Sequence, residues 1–423
     1  MRVLVVGSGG REHALVWKLA SSPLCDKMYC APGNAGIASL AECVEIDPRD
    51  ISSVSEFARS REIDLTVIGP EQPLAEGITD LLAVNGQRVF GPSKRAARIE
   101  TSKAFAKELM STYGIPTARF GVFTNMDKAL MFAENMNLPV VIKADGLAAG
   151  KGVFICRDYD EVSKALNAMM VDRSFGQAGD VVIVEEYLEG FEISIMAIVS
   201  GTDLIFLPTS QDHKQVFDGD RGPNTGGMGA YSPMSGLSSK QLDEITRNIF
   251  VQTVHALQKE GSVFSGLLYA GLMITSRGPY VLEFNCRFGD PETQAVLPRL
   301  KFDLLPILKS AADMKLAEVK TELEWDSRYS VCVIMSSGGY PGPYKVGQPI
   351  SGLGTDLGPD VHVFHSGTRK RMGDVVTNGG RVLGVTGLGS TLAEARAKAY
   401  SGVNQISFKD AHFRTDIGRR EKQ

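Results

Sequence analysis

Long apolar runs are missing from this 423-residue sequence, and nothing in it approaches the ~20 predominantly apolar residues that a membrane-spanning helix needs. CxxC pairs are missing too. The six cysteines, Cys25, Cys30, Cys43, Cys156, Cys286 and Cys332, stand apart, and a chain of this size needs no stapling, so reduced thiols in a cytoplasmic protein are expected. Blocks of one charge are absent and the net charge is −4; without a basic stripe, no nucleic-acid partner is expected. There is no internal repeat and no low-complexity tail. The opening MRVLVVGSGG reads as a strand entering a turn rather than as a signal peptide. What is present, 43% hydrophobic and 22% charged residues, is the composition of a soluble globular protein, long enough for about two to four domains.

Residues 1–92 alternate strand patterns (3–7, 28–31, 44–47, 65–69, 88–91) with helical ones such as 51–61 and 74–85. That alternation predicts a parallel sheet flanked by helices, with ligands beyond the carboxyl ends of its strands. One such end carries Gly7-Ser8-Gly9-Gly10-Arg11-Glu12. A dinucleotide fingerprint needs a third glycine where Glu12 stands, so the turn is suited to an anion but not specifically to NAD. A second end carries Gly69-Pro70-Glu71, in which Glu71 either binds substrate hydroxyls or caps the next helix; Pro32-Gly33-Asn34 is a weaker loop of the same kind. Residues 93–113 read as one long helix carrying Lys94, Lys103 and Lys107, ended by Gly114-Ile115-Pro116.

From about 117 to 188 the pattern is that of a small αβ unit centred on strand, glycine loop and strand: VVIKADGLAAGKGVFI at 140–155. The loop is not a P-loop, because the spacing is short, Gly152 replaces Ser/Thr and a strand follows. Its amides, with Lys143 and Lys151, could still fold over a triphosphate. The strand near 181–184 leads to Glu185-Glu186-Tyr187-Leu188, a linker whose backbone could meet an adenine edge, with Glu192 near enough for ribose hydroxyls. A second glycine-rich loop spans 212–229 and is too long and polar for a plain connection. Its Asn224–Gly229 run can lay N–H groups around an anion, and His213 reads as a binding or structural residue rather than a base. A closing domain follows from about 328, with a strand at 329–336 and a capping box at Thr391–Glu394.

The densest stretch is VLEFNCRFGDPETQ at 281–294. In a strand, residues two apart share a face, so Glu283 and Asn285 present two hard oxygens to one space, as suits Mg²⁺ shared with phosphates. Arg287 follows, and Asp290 and Pro291 mark a helix start as N-cap and N1.

Together these features resemble the ATP-grasp enzymes, and more narrowly the glycinamide ribonucleotide synthetase family. The likeness rests on GGREHAL at 9–15, GPEQPL at 69–74, TSKAFAK at 101–107, KADGLAAGKGV at 143–153, QDHK at 211–214, GPNTGGMGAYSP at 222–233, RFGDPETQ at 287–294 and TNGGRVLGVTGLG at 377–389. Gln215 departs from it, standing where the family usually has a basic residue, and Cys286 replaces a small aliphatic one. The resemblance implies an α/β ATP-grasp fold with an N-terminal parallel-sheet domain (1–103), an ATP-grasp domain (104–327) holding a mobile lid (about 117–188), and a C-terminal α+β domain (328–423). It implies ligation of glycine to 5-phosphoribosylamine through glycyl phosphate, using ATP and Mg²⁺ or Mn²⁺, by a monomer or weak dimer. Lys103, Lys143, Gly146, Gly150, Lys151 and Gly152 are expected at the phosphates, Glu185, Glu186, Tyr187 and Leu188 at adenine, and Glu192 at ribose. Glu283 and Asn285 are expected at the metal, and Arg287 and Asp290 at the chemistry. Gly9, Gly10, Asn34, Glu71, Asp212, His213, Lys214, Asn224, Thr225, Gly226, Gly227, Met228 and Gly229 are expected at the substrate.

Overall fold

The computed structural model describes residues 1–147, 152–319 and 323–419. Five parallel strands open the chain: β1 (Arg2–Gly7), β2 (Lys27–Pro32), β3 (Glu42–Cys43), β4 (Leu65–Ile68) and β5 (Val89–Phe90). They lie in the order β3-β2-β1-β4-β5, so the winding reverses between β1 and β4. The turns leaving those two strands therefore flank a crevice. Val3, Leu4, Val5 and Val6 are wholly buried, as a run covered by helices on both faces must be. The strand expected at 44–47 is instead the short β3 just before it. Val44 still bonds Cys30, but Ile46 turns back onto the Val44 carbonyl, and both side chains settle onto the core as the chain leaves the sheet.

The helix expected over 93–113 is two helices, Lys94–Thr101 and Lys103–Thr112. Ser102 between them is extended, at φ −136° and ψ 107°. Its hydroxyl accepts the Phe105 N–H at 3.1 Å, a local bond that competes with helix continuation and caps the second helix. The break places Lys103 at a helix start.

A four-stranded antiparallel sheet follows: β6 (Phe120–Phe123), β7 (Val140–Ala144), β8 (Val153–Cys156) and β9 (Val182–Glu186), ordered β6-β9-β7-β8. Its core is private: Val140, Ile142 and Val184 pack on Ala129, Val162 and Leu166 from the helices Met126–Glu134 and Tyr159–Leu166.

Next come β10 (Phe191–Ser200), β11 (Asp203–Phe206), the short strands β12 (Gln211–Asp212), β13 (Gln215–Phe217), β14 (Arg221–Asn224) and β15 (Gly229–Ser232), and the long hairpin β16 (Ser265–Thr275) and β17 (Gly278–Asn285). β11-β10-β16-β17 form one sheet, whose apolar residues pool with those of the N-terminal sheet: Leu4 and Leu74 share a core with Ile195, Leu268 and Phe284. The last strands are β18 (Tyr329–Ser336), β19 (Val361–His365), β20 (Thr368–Arg371), β21 (Asp374–Thr377) and β22 (Arg381–Gly389). β12 and β15 cross over to join them in the order β12-β15-β18-β22-β19, so the 212–229 loop is mounted on the C-terminal sheet. No helix among the described residues is long and apolar enough to cross a membrane.

Candidate active site

β17 ends at Asn285, where the parallel-sheet unit, the β6–β9 sheet and the C-terminal sheet converge. Glu283 and Asn285 both rise from that strand, two residues apart. Lys214, followed by Lys143, Lys103 and Arg287, surrounds Glu283 with positive charge and brings its carboxyl down to about 2, against the push of burial. Lys214 Nζ lies 3.5 Å from Glu283 Oε1 and 3.4 Å from a Glu192 oxygen. Burial pulls this lysine down, but Glu192, Glu283 and neighbouring groups raise it well above its ordinary value, so it stays cationic.

Arg287 lies beyond the strand and is gripped on every side. Its Nε reaches Glu71 at 3.2 Å, its Nη2 reaches Glu100 at 3.1 Å and Asn285 Oδ1 at 3.3 Å, and its Nη1 donates to the Phe288 carbonyl at 3.2 Å. Burial pushes Glu71 up, yet Arg287 and Arg11 outweigh it and hold its carboxyl at about 2. Glu71 opens the helix Glu71–Glu76, and its partner is an arginine of the chain itself. Glu100 also accepts the Cys286 N–H at 2.7 Å; burial, the largest influence on it, raises its carboxyl.

Lys103, at its helix start, and Lys143, on β7, meet at the edge of the β6–β9 sheet. Lys103 Nζ donates to the Gly146 carbonyl at 2.9 Å. Lys143 Nζ donates to the Leu282 carbonyl at 3.2 Å and pairs with Glu185, which also pairs with Lys107. Lys107 and Glu185 are each 2% exposed. Burial brings the Lys107 amine down to about 8, whereas in Glu185 the two lysines outweigh burial and lower the carboxyl. Glu185 and Glu186, expected in a linker, are the last residues of β9, and the Glu186 N–H is taken by the Arg119 carbonyl. Tyr187 is exposed, whereas Leu188 forms a small apolar cluster with Ala118 and Met273, against which Tyr280 and Leu282 pack. Gly150 and Lys151 lie outside the described residues; Gly152 is described and buried.

Across the crevice, Glu12 fills the first glycine turn. Its carboxylate folds back to accept the Gly9 N–H at 2.6 Å and the Arg11 Nε–H at 2.6 Å. A side chain at Gly7, Gly9 or Gly69 would strike it. The Gly9 amide is thereby occupied, and Gly10 is buried against the side chains of Gln294 and Ser366. Asn34 differs from expectation. Its amide donates to the carbonyls of Ser8 and His365 and its oxygen accepts the N–H groups of Gly36 and Ile37. Both donors and both lone pairs are used, so its side chain is a brace rather than a ligand.

Asp290 is not the N-cap of the following helix. Pro291 is, and the helix runs Glu292–Val296. The Asp290 carboxylate instead accepts Gln294 Nε2 at 2.7 Å and Arg381 Nη2 at 3.0 Å. Burial raises it, and Arg381 and Arg11 bring it below its ordinary value. Arg381 also bonds the Gly226 carbonyl, tying the 224–229 run to Asp290. Thr225 returns two bonds of 2.8 Å to the Lys214 carbonyl. Gly227 sits at φ +106°, where a side chain would strike Pro291 and Asp212. Burial, then the Glu292 carboxylate, push the Asp212 carboxyl up well above its usual range. His213 is buried beneath this loop, its ring 6.2 Å from that of Tyr231; Met228 is fully buried and Gly229 opens β15.

Residues 1–100 match the phosphoribosylglycinamide synthetase N domain, 101–293 its ATP-grasp (A) domain and 330–420 its C domain. The chain belongs to the phosphoribosylglycinamide synthetase family. It is 52% identical over 417 residues to a phosphoribosylamine–glycine ligase of Caldanaerobacter subterraneus, covering 99% of both chains. To the ligase of Escherichia coli O157:H7 it is 46% identical, covering 99% of this chain and 98% of that one. The crystal structure of the Thermotoga maritima phosphoribosylamine–glycine ligase superposes with a TM-score of 0.86 at 34% identity, over 98% of this chain and 100% of the other. The biotin carboxylase domain of Hydrogenobacter thermophilus 2-oxoglutarate carboxylase, solved with MgADP, ADP and bicarbonate, shares the fold at a TM-score of 0.74 and 17% identity, over 97% of this chain and 91% of that one.

The phosphoribosylglycinamide synthetase fold brings Glu283, Asn285, Arg287, Lys103, Lys143, Glu192 and Lys214 together and places Asp290, Gly10 and Asn224–Gly229 on the facing side. Sequence reasoning missed Glu100, Glu12 and Arg381 as site residues and gave Lys107 no role. Lys107 was within reach, since it lies four residues after Lys103 and so on the same helix face. Arg381 lies in a quoted motif whose distance from Asp290, 91 residues along the chain, hides the contact.

Proposed function

We propose that this convergence binds ATP against the lid and joins glycine to 5-phosphoribosylamine on the facing side. The enzyme is an ATP-grasp phosphoribosylamine–glycine ligase that forms glycinamide ribonucleotide, ADP and phosphate in de novo purine biosynthesis. The observation that carries the site assignment is the ionised Glu283, with Asn285 beside it, ringed by Lys214, Lys143, Lys103 and Arg287.

Lys103 and Lys143, with the amides of Gly146 and Gly152 and with Gly150 and Lys151 of the lid loop, take the phosphates. The backbone of Glu186–Leu188 meets the adenine edge, the apolar cluster of Met273 and Leu282 lies against the base, and Glu192 takes the ribose. Glu283 and Asn285 fit a divalent cation, Mg²⁺ or Mn²⁺. They offer one carboxylate and one amide oxygen, and among the described residues no group of three or more His, Cys, Asp or Glu side chains could hold a metal unaided. That donor set suits an ion whose remaining ligands are phosphate oxygens and water. Held there, the cation would offset charge developing on the transferred phosphoryl group.

A glycine carboxylate oxygen attacks the γ-phosphorus, and the bond to the bridging oxygen breaks, releasing ADP. The amine of 5-phosphoribosylamine then attacks the acyl carbon of glycyl phosphate, the carbon–oxygen bond to phosphate breaks, and the nitrogen's proton passes to the departing phosphate. Arg287, immobilised between Glu71 and Glu100, is the fixed positive charge that orients the carboxylate and then the acyl phosphate. Asp290, ionised and facing the Gly9–Gly10 turn, orients the incoming amine. The 212–229 loop takes the phosphoribosyl moiety. No protein nucleophile is required, because positioning and charge neutralisation supply the rate.

Purified protein assayed for ADP with each substrate omitted in turn tests this. ADP should appear in step with ligated product only when ATP, glycine and 5-phosphoribosylamine are all present, and bicarbonate should not replace glycine. Sustained ADP release without glycine would overturn the assignment.

A further inference from the structure

We infer that the C-terminal segment 412–416 is a clamp that sets the position of the substrate loop, with Arg414 as its positioning residue. The inference rests on the reading that the 212–229 loop takes the phosphoribosyl moiety.

The loop contains a hairpin, β13 and β14, that pairs only with itself. A two-stranded ribbon alone is marginal in water, and this one carries a bulge between Gln215 and Phe217. Yet its two ends hold Lys214 against Glu283 and the Asn224–Gly229 run against Asp290. Something must fix it, and the contacts come from nearly 200 residues further along the chain. Arg414 is completely buried. Its Nη1 donates to the Gln215 carbonyl at 3.0 Å and to Asp220 Oδ1 at 3.0 Å, so one guanidinium reaches the first strand of the hairpin and its turn. Its other edge meets Asp416 in a bidentate pair, both bonds 2.8 Å. Asp416 in turn accepts the Gly219 N–H at 2.8 Å. His412 Nε2 donates to the Val216 carbonyl at 2.8 Å, at the bulge. The Thr415 N–H donates to Asp218 Oδ1 at 2.8 Å. The segment is itself fixed to the C-terminal helix: Tyr400 OH donates to the Arg414 carbonyl at 2.7 Å, and Arg396 Nε to the Ile417 carbonyl at 3.1 Å.

The segment thus stands in for the missing neighbouring strand, and the planar guanidinium holds the Gln215 carbonyl, Asp220 and Asp416 at once as an ammonium cannot.

Steady-state kinetics of Arg414→Lys decides the matter. A lysine keeps the charge but cannot hold Asp416, Asp220 and the Gln215 carbonyl at once. The KM for 5-phosphoribosylamine should rise about tenfold or more, while the KM for ATP stays within about twofold, because misplacement of a positioning group by an ångström can cost up to ~100-fold. Equal losses against all three substrates would mean that Arg414 only holds the fold together, and unchanged KM values would mean that the clamp is idle; either result overturns the inference. If Arg414→Lys does not fold, Asp218→Asn decides, since it loosens the Thr415 contact without touching a buried charge. It should raise the same KM about threefold, and an unchanged value overturns the inference. Wild-type protein that ligates glycine beside an indifferent variant sinks the clamp alone; wild-type protein that does not ligate sinks the functional reading.

Discussion

The β6–β9 unit, the lid of the proposed function, and the body of this enzyme are built on opposite principles. In the body, the N-terminal parallel sheet and the β10–β17 sheet pool their apolar residues, so that Leu4 and Phe284 belong to one core. The lid keeps its core to itself, every member falling between residues 123 and 184. Where lid meets body the contacts are mostly polar. Ser102 and the Ala104 N–H bond Asp145 at 3.2 and 3.0 Å, Lys103 reaches the Gly146 carbonyl, Lys107 pairs with Glu185, and Arg277 reaches Glu186 at 2.5 Å. A seam of this kind can open without exposing much apolar surface, as interfaces between separately cored units generally can. The proposed ATP ligands Lys103 and Lys143 face each other across it, so nucleotide charge would complete the seam, and closure would keep water from an acyl phosphate.

The sharpest break in this comparison falls where the two regions meet. Glu283→Gln keeps the shape and removes the charge, and should lower kcat by about 100-fold or more, the scale of losing one preorganised electrostatic contact, while the melting temperature stays within about 2 °C. Near-normal turnover would remove Glu283 from the site. A pair of core truncations comes next. Leu4→Ala and Ile142→Ala each empty a fully buried position and should each cost about 2–5 kcal/mol. The first should shift one cooperative unfolding transition; the second should split off a separate early transition confined to 120–186, visible as faster hydrogen exchange there. A single shared transition in both variants would mean that lid and body are one unit.

A smaller effect probes the seam itself. Lys107→Met leaves Glu185 with Lys143 alone, and breaking a buried pair from one side costs about 3 kcal/mol. The KM for ATP should rise about tenfold with the KM for glycine unchanged, and adding Glu185→Gln should restore part of it. Independent, additive effects in that double variant would show that the two residues do not act together.

Much of this was legible in the sequence because it is local. β7, β17 and β18 follow from apolar runs, and the shared face of Glu283 and Asn285 from the two-residue period of a strand. The chemistry at 281–294 is nearly all on one segment. What was not legible is held by distance. Glu100 and Glu71 grip Arg287, and Arg381 and Arg414 come from the far end of the chain to fix the loops, at separations that periodicity does not report. Local chemistry also misled twice. Ser102 breaks a helix whose apolar period runs on through it, and Asn34, a plausible ligand by type, is fully used in bracing backbone.

The smallest expected effect separates body from seam by pH. Burial tends to raise the Glu71 carboxyl, but Arg287 and Arg11 bring it from 4.5 to about 2. A carboxyl whose folded value lies below its unfolded one contributes stability that is complete above pH 4.5 and is lost as the pH falls through 4.5 toward 2. The stability difference between the native protein and Glu71→Gln should therefore be constant from pH 6 to 8 and shrink below about pH 4, where protonation removes the same charge from the native protein. Glu71 is partly open to solvent, so the difference will be modest. The transition affected should be that of the body, leaving the lid's exchange pattern unmoved. A difference that persisted unchanged to pH 3 would show that the Glu71–Arg287 pair stabilises through packing alone, and the fixed cation proposed at the reacting carboxylate would then owe its position to Glu100.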